Sequence, residues 1–130
     1  MIKFGKFTIS DKNKPFIIAE AGINHEGDMD KALELIDIAS DSGVSAVKFQ
    51  THITDKEMIP TDMTPGNISK EKLWDIIDRC VLTESQEKEL LEYSKEKKLL
   101  FFSTPFSREG ADRLNDLGVE IFKIGSGECN

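Results

Sequence analysis

What most constrains this chain is a pattern repeated four times, an apolar run that ends in polar residues. The runs occupy residues 16–20, 45–50, 99–104 and 119–124, with helical patterns between them. Strands that alternate with helices build βαβ units and a parallel sheet. In such a sheet every strand end of one kind lies on one rim, and ligands bind at the C-terminal rim. Here the polar ends are Glu20; Lys48 and Gln50; Ser103 and Thr104; and Lys123, Ser126 and Glu128.

The run Ser45-Ala46-Val47-Lys48-Phe49-Gln50 shows the design best. Strand side chains alternate, so Ala46, Lys48 and Gln50 share one face while Val47 and Phe49 share the other. Taken alone, that strand fits a ligand-facing cation and amide as well as an edge strand wetted on one side. Four polar ends in succession favour a shared site. The first run, Phe16-Ile17-Ile18-Ala19-Glu20, reads as a strand buried on both faces. Residues 4–9 alternate weakly, as a short strand or hairpin arm would.

Local signals place the helices. Asp28 is positioned to cap a helix whose stripe is Ala32, Leu33, Ile36 and Ala39, and Gly43 ends it. Ser69 is the expected cap of a helix carrying Leu73, Trp74, Ile76, Ile77 and Cys80. Thr83-Glu84-Ser85-Gln86 matches a capping box, opening a charged helix to about residue 97. Ser107 caps a further helix with Ala111, Leu114 and Leu117 inward, closed by Gly118. Residues 51–68 hold Pro60, Pro65 and Gly66 and far exceed the roughly 2–6 residues of ordinary βα loops, which marks a functional loop or lid.

At 130 residues with 38% hydrophobic content, the chain has the length of one domain and can bury a core. Its net charge of −7 excludes a general nucleic-acid or anionic-membrane surface, so any anion site must be local. Lys48 and Lys123, with Ser103, Thr104, Ser126 and the backbone of Gly125 and Gly127, suit a phosphate or carboxylate. Glu20 and Glu128 suit acid–base work, hydroxyl orientation or a metal-bound water. A surface ammonium is the plain alternative for each lysine, weakest for Lys123 between Phe122 and Ile124. His25 and His52 follow strands in loops, where a hydrogen-bonding role outweighs metal ligation. Cys80 and Cys129 show no metal-ligand spacing and no redox motif. The first six residues lack a signal peptide's apolar run, which points to the cytoplasm.

Together these segments resemble the sialic acid synthase family. Ile18-Ala19-Glu20-Ala21-Gly22-Ile23-Asn24-His25-Glu26-Gly27-Asp28 is similar to its first strand and loop, and Val47-Lys48-Phe49-Gln50-Thr51-His52 to its second strand. Phe102-Ser103-Thr104-Pro105-Phe106-Ser107 and Phe122-Lys123-Ile124-Gly125-Ser126-Gly127-Glu128-Cys129-Asn130 are similar to the third and fourth. The resemblance implies an α/β fold, the N-terminal half (about four β/α units) of a TIM (β/α)8 barrel. In the family the barrel precedes a small antifreeze-like domain that swaps across a homodimer. Such a barrel takes about 250 residues, so residues 1–130 are expected to be its N-terminal portion, without the second half-barrel or that domain, and inactive alone.

The implied reaction condenses phosphoenolpyruvate with an N-acetylated hexosamine, N-acetylmannosamine for N-acetylneuraminate. Carried over by position, Lys48, Thr104, Lys123 and Ser126 contact phosphoenolpyruvate, and Gln50 and Glu128 hold the sugar. Glu20 is the catalytic carboxylate beside a divalent metal (Mn2+ or Mg2+) and its water. The metal's ligands are expected outside this chain, and neither His25 nor His52 matches them. Synthases of legionaminic or pseudaminic acid fit the same residues, and a non-catalytic α/β binding domain is the reading from another class.

Overall fold

A parallel sheet with helices packed on one face forms where the apolar runs and caps predict it. The computed structural model describes residues 1–4 and 6–129. Gly5 and Asn130, the last residue of the fourth motif, lie outside them. The chain opens on an antiparallel pair, β1 (Ile2–Phe4) and β2 (Phe7–Ile9), the expected hairpin arm.

The main sheet has the order β3 (Ile18–Gly22), β4 (Ala46–Thr51), β5 (Leu100–Pro105), all parallel. Contrary to expectation, β3 is not buried on both faces. Ile18 is 43% exposed and Glu20 is exposed, because β3 has one hydrogen-bonded neighbour among the described residues and its far edge is open. The fourth run is the larger correction. Residues 119–124 contribute a single bridge, Phe122 to Ser103, with Lys123 N–H donating to Ser103 O at 3.0 Å. The chain then leaves the sheet through a 3-10 turn, Ser126–Glu128, and no described strand pairs with its outer edge.

Three of the helices start where the sequence places their caps. Before α1 (Met29–Asp41), Asp28 Oδ1 accepts from the N–H groups of Asp30 and Lys31 at 2.9 and 3.3 Å. The connection after β4 holds a one-turn helix, α2 (Thr54–Glu57), and then α3 (Leu73–Arg79). Ser69 does not cap α3. It accepts from Glu71 N–H at 3.0 Å in a turn, while Leu73 N–H donates to Met63 O at 2.8 Å and ties the helix start to the long connection. The Thr83–Gln86 capping box opens α4 (Glu84–Glu96), and Ser107 caps α5 (Arg108–Asp116).

The core lies between the sheet and α1, α4 and α5. Val47 and Phe49 of β4 and Phe101 of β5 meet Ile36, Leu90, Leu91 and Leu114, all at most 5% exposed. The rings of Phe49 and Phe101 stack 5.7 Å apart, and burying one such side chain contributes roughly 1.5–3 kcal/mol. The Cγ2 atom of Thr51 lies 3.4 Å from where a Cβ on Gly110 of α5 would stand. The helices therefore cover the Val47–Phe49–Thr51 face, and Lys48 and Gln50 point to the opposite one. No helix among the described residues is long and apolar enough to cross a membrane.

Candidate functional site

Parallel register assembles the rim. Glu20 pairs with Lys48 across β3 and β4, and Lys48 with Phe102 and Gln50 with Thr104 across β4 and β5. Residues paired this way present their side chains on one face, so Glu20, Lys48, Gln50 and Thr104 converge on the side away from the helices. Lys48 Nζ forms an ion pair with Glu20 Oε2 and donates to Thr104 Oγ1 at 3.4 Å. Its side chain is 11% exposed, whereas that of Glu20 is 55% exposed. A nearly buried ammonium held between a wetted carboxylate and a hydroxyl can accept an anionic ligand by exchanging its carboxylate partner.

Gly22 keeps the space beside them open. Its φ is +56°, a left-handed conformation that side chains disfavour. A Cβ there would stand 3.5 Å from Glu20 Oε1 and 3.6 Å from Gln50 Nε2, so both groups flank one point above the glycine. Gln50 is held from its other side. His52 Nε2 lies 2.9 Å from Gln50 Oε1, and His52 Nδ1 lies 2.8 and 3.0 Å from the two carboxylate oxygens of Glu57. The imidazole stacks on Phe106 with a centroid distance of 4.5 Å and an interplanar angle of 9°. This group was not legible in the sequence as a partner of Gln50, because it depends on the one-turn helix that returns Glu57 to His52.

The remaining predicted residues sit in the last segment. Gly125 is buried, and a Cβ on it would stand 3.2 Å from Glu128 Cγ, 3.5 Å from Phe106 Cε1 and 3.7 Å from Thr104 Cγ2. The turn carrying Ser126 and Glu128 thus rests against the end of β5. Lys123, Ser126 and Glu128 are exposed, and Lys123 Nζ folds back onto Ile124 O. The structure thus brings Glu20, Lys48, Gln50 and Thr104 together and sets the other three beside them without recorded contact to Lys48. A neighbouring open cleft of about 600 Å3, past the end of β5, is lined by Glu57, Phe106, Arg108, Ile124 and Glu128 among others, and not by Glu20, Lys48, Gln50 or Thr104.

Ser103 leaves the rim altogether. It is fully buried on the helix side, with its Oγ 2.8 Å from Thr51 Oγ1. Thr51 and Ser103 share a polar pocket with Glu87 of α4, whose carboxylate accepts from Arg113 at 3.3 Å. Burial pushes the Glu87 carboxyl above its ordinary range, against weaker downward pulls from Thr51 and Arg113. His25 is fully buried. Its Nδ1 accepts from Gly27 N–H at 2.9 Å, and burial, followed by the charge of His52, pushes its pKa down. Cys80 is buried with its thiol pushed up by desolvation. No group of three or more His, Cys, Asp or Glu side chains among the described residues is arranged to hold a metal ion.

Comparison with known proteins adds independent findings. The model of the NeuB family matches residues 35–130. The N,N'-diacetyllegionaminic acid synthase of Campylobacter jejuni is 41% identical over 120 residues, 88% of this chain and 36% of that protein. The spore coat polysaccharide biosynthesis protein SpsE of Bacillus subtilis is 39% identical over 95% of this chain and 34% of its own length. The crystal structure of N-acetylneuraminic acid (sialic acid) synthetase from Leptospira borgpetersenii superposes with a TM-score of 0.78 at 35% identity. That match covers 95% of this chain and 40% of the other. The chain spans about a third of the length of the curated relatives it matches. It has the fold expected of the first part of a TIM barrel, with three strands in its parallel sheet and a fourth reduced to one bridge.

Proposed function

This chain belongs to the NeuB family, and from that premise we propose that the whole protein is a nonulosonic acid synthase. It condenses phosphoenolpyruvate with N-acetylmannosamine to give N-acetylneuraminate and phosphate. One observation carries the reading: a nearly buried lysine, Lys48, stands between Glu20 and Thr104 at parallel strand ends, on the face the helices leave open. Lys48 and Lys123 oppose the phosphate and carboxylate charges, and Thr104 and Ser126 donate hydrogen bonds to them. Gln50 and Glu128 hold the sugar acceptor.

In this proposal C3 of phosphoenolpyruvate attacks the aldehyde carbon of the open-chain sugar, forming the new carbon–carbon bond. Water adds at the former C2, and the tetrahedral intermediate expels phosphate by C–O cleavage. Glu20 is the catalytic carboxylate that orients the water. The described residues do not by themselves fit a divalent metal, since none group as ligands and Glu20 is engaged by Lys48. In this proposal the Mn2+ or Mg2+ expected with this chemistry would take its ligands from the part of the relatives' length that this chain does not span. The same proposal gives that part the remaining half-barrel and an antifreeze-like domain swapped across a homodimer, in a cytoplasmic enzyme.

A second acceptor has a specific observation in its favour. The 41% identity to a diacetyllegionaminic acid synthase favours the diacetamido sugar that leads to legionaminic acid. A turnover panel with the full-length protein decides. Phosphate release from phosphoenolpyruvate is measured with N-acetylmannosamine and with the acceptors for legionaminic and pseudaminic acid. The proposal expects fastest turnover with N-acetylmannosamine. Preference for another hexosamine moves the assignment to that acid, and no turnover with any of them contradicts the synthase reading.

A further inference from the structure

We propose that His52 is a positioning residue that fixes which end of the Gln50 amide faces the sugar, a role that rests on the synthase reading above. An amide can present either its oxygen or its NH2 group, and the two ends differ little in shape. Here the choice is made from behind. With Nδ1–H donating to the Glu57 carboxylate, the 2.9 Å contact between Nε2 and Gln50 Oε1 is a hydrogen bond when the ring carries both protons, and a flipped amide would then bring two donors face to face. The ring cannot easily turn away from that contact. Its Nδ1 is held by both oxygens of Glu57, its plane lies flat on Phe106, and the residue is 4% exposed. Glu57 is fixed in turn, its Oε2 accepting Ile53 N–H at 3.2 Å across the one-turn helix.

The consequence is a donor aimed at the open rim. Gln50 Nε2 lies 3.6 Å from the point where a Cβ on Gly22 would stand, beside Glu20 Oε1 at 3.5 Å from the same point. An NH2 donor at that point recognises a sugar through an oxygen that receives its hydrogen bond. Because the proposed function gives Gln50 to the sugar and Lys48 to phosphoenolpyruvate, loss of His52 should act on one substrate and spare the other. A purely structural role would touch both.

Steady-state kinetics on the full-length protein test this with N-acetylmannosamine and phosphoenolpyruvate as the varied substrates. His52→Phe keeps the flat ring on Phe106 and removes the donor. It should raise KM for the sugar about 3- to 10-fold, the value of one hydrogen bond, and leave KM for phosphoenolpyruvate unchanged. His52→Gln returns an amide N–H near the same place and should stay within about 3-fold of wild type, less than one such bond is worth. In Gln50→Ala the sugar KM should rise, and adding His52→Phe should raise it no further. The inference is overturned if His52→Phe leaves the sugar KM in place while Gln50→Ala raises it. Equal effects of His52→Phe on both substrates overturn it as well. Should His52→Phe not fold, a rise in His52→Gln as large as in Gln50→Ala has the same meaning. If Gln50→Ala itself leaves the sugar KM unmoved, what fails is the placement of the sugar at this rim.

Discussion

Replacing Lys48 with Met separates the ion pair its ammonium makes with Glu20 from the anion binding proposed for it. The side chain is 11% exposed, so a methionine of similar length fills most of the space its apolar stem occupies. The group it abandons is Glu20, whose side chain is 55% exposed and can be solvated by water. An ion pair with a partner this wet contributes about 0–1 kcal/mol, so the variant should fold with nearly unchanged stability. Binding is another matter. A hydrogen bond to a charged group is worth about 1.5–3 kcal/mol, and at about 1.4 kcal/mol per tenfold that is a loss of roughly 10- to 150-fold in kcat/KM for phosphoenolpyruvate. Steady-state kinetics beside a thermal unfolding curve read both quantities. A loss below about 3-fold, smaller than one hydrogen bond to a charged group, would refute the assignment of Lys48 to the anion. So would a loss confined to the sugar's KM.

Two further substitutions test the scaffold beneath the rim. At Gly27 φ is +82° and a Cβ would stand 2.1 Å from Arg79 O at the end of α3. Gly27→Ala should therefore cost about 1–2 kcal/mol in backbone conformation and about 1–3 more in displaced packing. Chemical denaturation should show the sum, and a change under about 0.5 kcal/mol, ordinary for a surface site, would contradict the close approach. Glu87 has its carboxyl raised by burial, so the folded protein holds that proton at pH values where the unfolded chain has released it. Stability from this group falls as pH rises from the ordinary carboxylate range through the raised folded value. Glu87→Gln removes that slope, so unfolding curves at a series of pH values should show the variant gaining on wild type as pH rises; a loss would reverse the reasoning.

The sequence was readable wherever one residue type answers one physical need. Asp28, the Thr83–Gln86 box and Ser107 cap the helices that they predict, because a side-chain oxygen before an amphipathic run has one productive use there. Lys48 and Gln50 fall on one face because strand parity allows nothing else. The same parity places Ser103 opposite Thr104, so grouping both at the rim overlooked a signal that was present. Ser69 misled because its turn competes with a helix anchored through Leu73 and Met63. The fourth run contains good strand residues, yet strand formation is settled by pairing, and residues 119–124 find one rung. The His52–Glu57 pair was hidden for a related reason. A separation of five residues becomes a contact only after the single turn of α2 forms, and that turn carries no side-chain cap at its start.

The central claim is that this rim binds phosphoenolpyruvate, and Lys123 tests it most directly. Its side chain is exposed and makes no recorded ion pair among the described residues, so Lys123→Ala should leave the fold intact. Isothermal titration of phosphoenolpyruvate into the full-length protein should give saturable binding that weakens at least about 10-fold in the variant, the value of one hydrogen bond to a charged group. Binding that is unchanged in Lys123→Ala would show that the phosphate site has been put in the wrong place.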